Sequence, residues 1–499
     1  MIWKIIIIIS AAIASYFIPT PKELQKAFTA GQNFYASSNF PKAIEQYDVI
    51  INTQSDFLNE DSVKVDLLSG EYIVSVVAAA YYQKANALKS LGKRDEAISI
   101  FRLVEERKDE QKLAALAQFQ IYDLYYRSND YIQAIREARK LSDKYAWSPK
   151  AEIALYDIGW AYRELNDIEK SNQAFIELIQ KYPQTDYLAS SIYQLGQNNF
   201  DQGNFDKSIS FWVELQDKFK PESFKQQEWE KVQLKAVKER QIFEATAGRE
   251  TNESILELVA KSQVKIGDAY REKGDYINAM QSYQKAVTQY TLLPSLIEVS
   301  YIKMADYTLH EKGIDSARYV YQKAIDENFN KKDLQAKMQY KIAETYQNEK
   351  MYLKAADEFE FYADGYAEVA DAINFSVESA YYTRIVNLYN GEAFSKVVAE
   401  VDSFIIKYPS SEYKYDLIYL SGSSSFTLKN FEKARQNFQV IAQDKPGSSQ
   451  AVSSRIFLGR ILYEEKKYSE AKTELLAVLN EENNPAYNDE ANYYLLQVY

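Results

Sequence analysis

The side chains whose type and spacing could do chemistry in this chain are aromatic. Tyr156 and Tyr193 stand 37 residues apart, as do Tyr382 and Tyr419, and Phe28, Tyr82, Phe119 and Tyr340 fall into the same register. Seven residues further along that register come Tyr35, Tyr126, Phe200, Tyr389, Phe426 and Tyr463, and Trp160 follows Tyr156 by four. Rings so placed offer large contact area at small entropic cost, so the chemistry is non-covalent recognition of an extended peptide, a helix or a glycan. The competing reading is that the rings pack one helix against the next, which is the commoner fate of an aromatic stripe on a helix. The candidate partner-binding residues are Tyr156, Trp160, Tyr193, Phe200, Tyr340, Tyr382 and Tyr419.

Covalent and metal chemistry is poorly served. The chain has no Cys and one His among 499 residues. Disulfides, thiol nucleophiles, Cys/His metal sites and a His-based triad are therefore excluded. There is no GxxxxGK loop, HExxH, EF-hand ladder or GxSxG elbow. Ser423, Ser424 and Ser425 follow Gly422 as small helical residues, and His310 is remote from them in sequence. The 71 acidic residues supply many carboxylate pairs, none in an apolar setting that would raise a pKa. The expectation is a protein that is not an enzyme, with no catalytic residues, no cofactor and no metal. A net charge of −12 repels phosphate backbones and argues against a nucleic-acid partner.

What positions the aromatics is a repeat. Numbering each unit so that Gly159 is position 8, that position falls at Gly31, Ala85, Tyr122, Gly159, Gly196, Gly267, Ala305, Ala343, Ile385, Gly422 and Gly459. Twelve residues later stand Ala43, Ala97, Ala134, Ser171, Ser208, Ala279, Ala317, Ala355, Val397, Ala434 and Ala471, all but one of them Ala or Ser. Position 24 is mostly large, as at Tyr47, Phe101, Phe175, Trp212, Tyr283, Tyr321, Phe359 and Phe438. The pattern predicts paired antiparallel helices that approach where small residues face one another, with a ring filling the space one turn away. Gly92, Gly203, Gly274 and Gly313 stand where the first helix must stop, and Pro149, Pro183, Pro221, Pro294, Pro409, Pro446 and Pro485 lie near unit ends.

Small residues at 8 and 20, Tyr at 11 (Tyr162, Tyr270, Tyr346) and Pro at 32 (Pro183, Pro446) resemble the tetratricopeptide repeat. The resemblance implies an all-α solenoid of about eleven helix–turn–helix units in a right-handed superhelix, with positions 2, 5, 9 and 12 toward the concave side. The usual Trp at position 4 is missing, and the spacing is most often 37 or 38 instead of 34. KYP-x-[ST]-x-Y junctions at Lys181–Tyr187 and Lys407–Tyr413 resemble those of BamD-like and Tol–Pal-associated periplasmic repeat proteins. The Lys at 5 and Asn at 9 with which chaperone-binding members of the family hold a terminal carboxylate are not found together in any unit.

Two gaps break the period. About 17 extra residues around Thr53–Ser69 predict a loop with a lengthened helix. Between Gly196 and Gly267, a long amphipathic helix is expected over Glu222–Glu244, then a polar joint at 247–254 with Asn252 as the next N-cap. This divides the chain into an amino-terminal array, 20–246, and a carboxy-terminal array, 255–499, ending in a closing helix over Asn488–Tyr499.

The amino terminus, with Lys4 ahead of the apolar run Ile5–Ile13 and the triplet Ala12-Ile13-Ala14, reads as a signal peptide over residues 1–14. The alternative is a retained anchor, although the run is shorter than the roughly 20 residues that span a bilayer. No Cys follows, so a lipoprotein is excluded. The expected function is a non-enzymatic scaffold for protein partners in the bacterial cell envelope, exported and periplasmic. The alternative is a module that handles peptidoglycan or exopolysaccharide along an aromatic groove.

Overall fold

A computed structural model describes residues 20–53, 63–67, 72–231, 254–479 and 487–499. The segment 1–14 and nearly all of the expected joint lie outside them. Eleven helix pairs follow one another among the described residues. The first five are Pro21–Ala36 with Phe40–Ile51, Val76–Ser90 with Arg94–Glu105, Gln111–Arg127 with Tyr131–Lys144, Pro149–Glu164 with Ile168–Lys181, and Leu188–Asp201 with Phe205–Lys218. Ile255–Glu272 is followed by Tyr276–Gln289. Then come Pro294–Lys312 with Ile314–Glu327, Lys332–Asn348 with Tyr352–Gly365, Val377–Asn390 with Phe394–Lys407, Lys414–Thr427 with Phe431–Asp444, and Ser449–Glu464 with Tyr468–Leu479, closed by Asn488–Val498. The chain is an all-α solenoid. Its described residues form two compact units, one reaching Ala279 and the other starting at Met280.

The turn inside each pair is set by one left-handed residue at position 15. Gly92, Gly203 and Gly274 adopt φ of 74–76°, as their type allows. Ser38, Asn129, Asn166, Lys350, Glu392, Lys429 and Lys466 take the same conformation at φ of 57–62° without being glycine. In each of these turns the next amide reaches back to the carbonyl five residues earlier, as Asp167 N does to Tyr162 O at 2.8 Å and Asn430 N to Ser425 O at 2.9 Å. This Schellman closure satisfies orphan carbonyls at the helix end. Gly313 differs, combining φ 85° with ψ 174°, and the second helix starts directly after it.

Packing within a pair turns on positions 8 and 24. A Cβ on Gly159 would lie 2.6 Å from the Phe175 ring, and one on Gly422 would lie 2.8 Å from Phe438; Gly31 meets Tyr47 and Gly196 meets Trp212 in the same way. The ring therefore covers position 8 itself, where the sequence pattern places a small residue opposite another small one. The residue at 20 sits beside it, with Ser208 Oγ donating to the Gly196 carbonyl at 2.7 Å. The two exceptions at position 8 follow the same rule. Tyr122 is paired with Ala138 and Ile385 with Val401, all buried. The space is filled once, from whichever side supplies the bulk.

Three expectations are corrected. The insertion after the first pair holds an antiparallel hairpin, Lys64–Leu67 with Tyr72–Ser75, and among the described residues no lengthened helix. Val65, Leu67 and Val74 are buried, while Glu110 accepts from Ser75 N at 2.8 Å and Lys64 Nζ at 2.9 Å. A strand forms because alternate residues face the core, the two-residue period of a half-buried strand. Past the fifth pair, Pro221–Ser223 forms a single 3-10 turn and Phe224 is extended. Helix begins only at residue 226, and its extent past 231 lies outside the described residues. The cap of the following helix is Ser254, in a capping box with Glu257.

Gly422→Ala should cost about 1–3 kcal/mol by overpacking against Phe438. Phe438→Leu introduced together with it should cost less than the sum of the single changes, as read from melting curves of all four chains. Lys429→Gly should stabilise by about 0.5–1 kcal/mol, since it removes a left-handed penalty of about 1–2 kcal/mol against a glycine entropy cost of about 0.5–1 kcal/mol.

Candidate functional site

The aromatic residues at position 5 point into the stack. Where position 24 is aromatic, they meet its ring in their own pair. Centroid separations are 5.8 Å for Tyr156–Phe175, 6.2 Å for Tyr193–Trp212, 5.2 Å for Tyr340–Phe359 and 5.8 Å for Tyr419–Phe438. Several also take a ring from the start of the following pair. Tyr156 stacks on Tyr187 at 4.6 Å and Tyr382 on Tyr413 at 4.2 Å, while Tyr340 meets Phe375 at 4.4 Å. At Phe119 the partner is instead the Lys150 ammonium, 5.0 Å from the ring.

The KYP-x-[ST]-x-Y junction thereby acquires a physical meaning. Its last residue, Tyr187 or Tyr413, is the stacking ring. Its Thr185 or Ser411 hydroxyl accepts from that tyrosine's amide, at 3.3 Å and 3.1 Å, and so fixes where the next helix begins. Position 12 aromatics pair across the turn with position 17, as Phe200 does with Phe205 at 5.5 Å and Tyr389 with Phe394 at 5.8 Å.

Of the candidate binding residues, Tyr156, Trp160 and Tyr193 are only 6%, 4% and 5% exposed. Phe200, Tyr340, Tyr382 and Tyr419 are half-buried. They do not form an open ladder of rings. Tyr156, Trp160 and Tyr193 pack between helices, while Phe200, Tyr340, Tyr382 and Tyr419 each meet a neighbouring ring and keep part of their surface open.

Polar pairs take over from the missing tryptophan at position 4. Gln118 donates to the carboxylate of Glu137 at 2.9 Å, Gln339 to Glu358 at 2.6 Å and Arg455 to Glu474 at 3.3 Å, each joining position 4 to position 23. Glu137 is buried and also receives Arg102 at 2.9 Å and Lys140 at 3.1 Å. Burial pulls its pKa upward, but Arg102, Gln118 and Lys140 outweigh that and hold the carboxyl below its ordinary range.

The second unit contains a cavity of about 280 Å³ between Tyr352–Gly365, Val377–Asn390 and Phe394–Lys407. Its wall includes Arg384, which occupies the position held by Ile121, Ile158, Leu195, Ile342 and Leu458 in other pairs. Arg384 is buried and fully engaged. Its Nε and Nη2 each donate to Glu400 at 2.8 Å, and Nη1 reaches the Ala356 carbonyl at 2.8 Å and Glu360 at 3.0 Å. Burial works against the guanidinium charge, yet Glu400, Glu360 and Asp357 raise its pKa above the ordinary value. Tyr381 donates to Asp364 at 2.6 Å, and burial followed by that carboxylate pushes its hydroxyl pKa up. The sequence reading passed over this site. Its signal was a charge at a register position that is mostly apolar, where the other charge is Lys84.

With the pairs and junctions in place, comparison with known proteins is direct. Tetratricopeptide-repeat models match residues 153–185, and 78–110 with 260–290. The chain contains tetratricopeptide repeats. Similar solved structures include the Naa15/Naa10 complex bound to HypK-THB, at 12% identity and TM-score 0.38, covering 95% of this chain and 66% of that one. A tetratricopeptide repeat protein from Parabacteroides merdae is similar at 14% identity and TM-score 0.30, over 63% of this chain and 98% of that one. The carboxy-terminal part of a repeat protein from Cytophaga hutchinsonii gives 16% and 0.35, over 56% and 93%. No curated protein matches the sequence.

Within the array, Tyr413→Ala should cost about 1–3 kcal/mol from lost stacking and burial, and Tyr413→Phe much less, in chemical denaturation. Because Glu137 titrates lower in the folded chain than its ordinary value of 4.5, its contribution is present above that pH and is lost as pH falls through the depressed value. Glu137→Gln should therefore lower the melting temperature at pH 7 and shrink the further drop seen on acidification below about pH 4.5.

Proposed function

We propose that this protein is a non-enzymatic scaffold that holds protein partners in the bacterial cell envelope, exported through residues 1–14 and working in the periplasm. The observation that carries the reading is repetition. Eleven pairs repeat one packing scheme with few variations, while their solvent-facing positions differ from pair to pair. A surface of that kind binds by geometry and by several modest contacts acting together. Adjacent pairs are also tied by ion pairs, between second helices through Arg139 with Glu177 at 2.5 Å and Lys433 with Asp402 at 2.7 Å, and between first helices through Lys337 with Glu298 at 2.6 Å. Such ties favour a fixed spacing between partners over a flexible tether.

Export rests on the order of a basic residue, an apolar run and small residues at the amino terminus. A glycan-binding groove draws less support from the aromatic positions, because Tyr156, Trp160 and Tyr193 are buried.

Crosslinking in the native cells followed by mass spectrometry tests the scaffold. Envelope proteins joined to lysines of this chain are the expected result, and crosslinks confined to the chain itself would overturn it. Amino-terminal sequencing of the mature protein should begin at Ser15. An intact Met1 on protein recovered from a soluble periplasmic extract would refute cleavage.

A further inference from the structure

The cavity in the second unit has a charge pattern that the scaffold reading does not use. Four charged side chains line it: Arg384, Glu360, Glu400 and Lys407. Arg384 is committed to both glutamates, which leaves the trio one negative charge in excess. The balance is made up by Lys407, and it comes from an unusual direction. Its ammonium lies 4.6 Å from the Tyr381 ring centroid and 5.4 Å from that of Tyr408. Lys407 is exposed and makes no ion pair among the described residues. Two ring faces therefore seat a cation here, as ring quadrupoles do. Phe404 and Ile385 complete an apolar wall suited to a methylene stem. Asp364 accepts the Tyr381 hydroxyl proton, and Glu360, whose side chain is 47% exposed, stands among the lining groups open to solvent.

Lys407 is the one lining charge free to leave. It sits in the last turn of Phe394–Lys407 on a long, flexible stem, whereas Arg384 is buried and held by four hydrogen bonds and ion pairs. When Lys407 swings away, the cavity is left with two ring faces and one uncompensated carboxylate.

We propose that this cavity receives a basic side chain, lysine or arginine, from a protein partner, with Lys407 as the built-in occupant that the partner displaces. The proposal rests on the scaffold reading for the source of the ligand. It places this contact among two second helices and one first helix, away from the aromatic register considered above.

The test uses the purified full chain and three probes: Nα-acetyl-arginine amide, Nα-acetyl-norleucine amide and Nα-acetyl-glutamate amide, titrated by calorimetry or ligand-observed NMR. Lys407→Ala should bind the arginine probe roughly tenfold more tightly than the unaltered chain, since the competing cation is gone. In the Lys407→Ala background, Tyr381→Leu and Glu360→Gln should each weaken binding severalfold, while Tyr381→Phe, which keeps the ring, should retain it. Melting curves identify any variant that fails to fold, and Tyr381→Phe with Glu360→Gln then carries the comparison. Equal binding of the norleucine probe would reduce the cavity to an apolar pocket and overturn the proposal. So would binding of the glutamate probe through Lys407, or no binding of any probe to Lys407→Ala at millimolar concentration. Because these titrations involve no cellular partner, they can fail while crosslinking still finds envelope proteins, and the reverse result is equally readable.

Discussion

The contact on which the other packing depends is the ring at position 24 lying against the backbone of position 8. It brings the two helices of a pair close enough for residue 20 to reach a main-chain carbonyl, as Ser208 does. It also fixes the level at which the position 5 aromatic can meet that ring edge-on, as in Tyr156–Phe175 and Tyr340–Phe359. Buried rings of this size contribute both area and preferred angles, so one contact sets separation and axial register together.

From that contact the junction between pairs follows. A position 5 ring held by position 24 presents its other side to the start of the next first helix, where Tyr187 covers Tyr156 and Phe375 covers Tyr340; Tyr413 covers Tyr382 in the same way without a ring at 24. In the pairs of Tyr156 and Tyr340, aromatic contacts thus run from ring 24 to ring 5 to the junction ring. A tyrosine-rich composition, with 42 Tyr in the chain, is what this mode of stacking consumes. The polar links Gln118–Glu137 and Gln339–Glu358 run beside it and take over where family members place tryptophan.

Departures from the pattern occur in three pairs, and in the eleventh Leu475 simply replaces the ring against Gly459. Tyr122 with Ala138 exchanges which helix brings the bulk and leaves the packing intact. The ninth pair has no ring in that place, only Ile385 and Val401, and it puts Arg384 where most other pairs have an apolar residue. A cavity opens beside this pair, walled by the ion cluster that the arginine requires. Loss of the organising contact and appearance of a polar cavity occur in the same repeat.

The repeat was legible from residue order because helical packing is local: small and large residues must recur at fixed spacing, and the turn must fall between them. Position 8 at Gly159 and position 20 at Ser171 could be read without coordinates, and so could the number of pairs. The hairpin was written in the alternation of Val63, Val65 and Leu67 but was obscured by its shortness and by the helices around it. The direction each ring faces was not legible. Tyr156 and Tyr193 carry the same spacing whether they line a groove or fill a stack, since periodicity identifies a helix face but not what covers it. Covering is decided by residues far along the chain, Phe175 and Tyr187 for Tyr156, and Glu360 and Glu400 for Arg384. Sequence determined the unit and its register, and tertiary packing alone determined which of its side chains remain available to a partner.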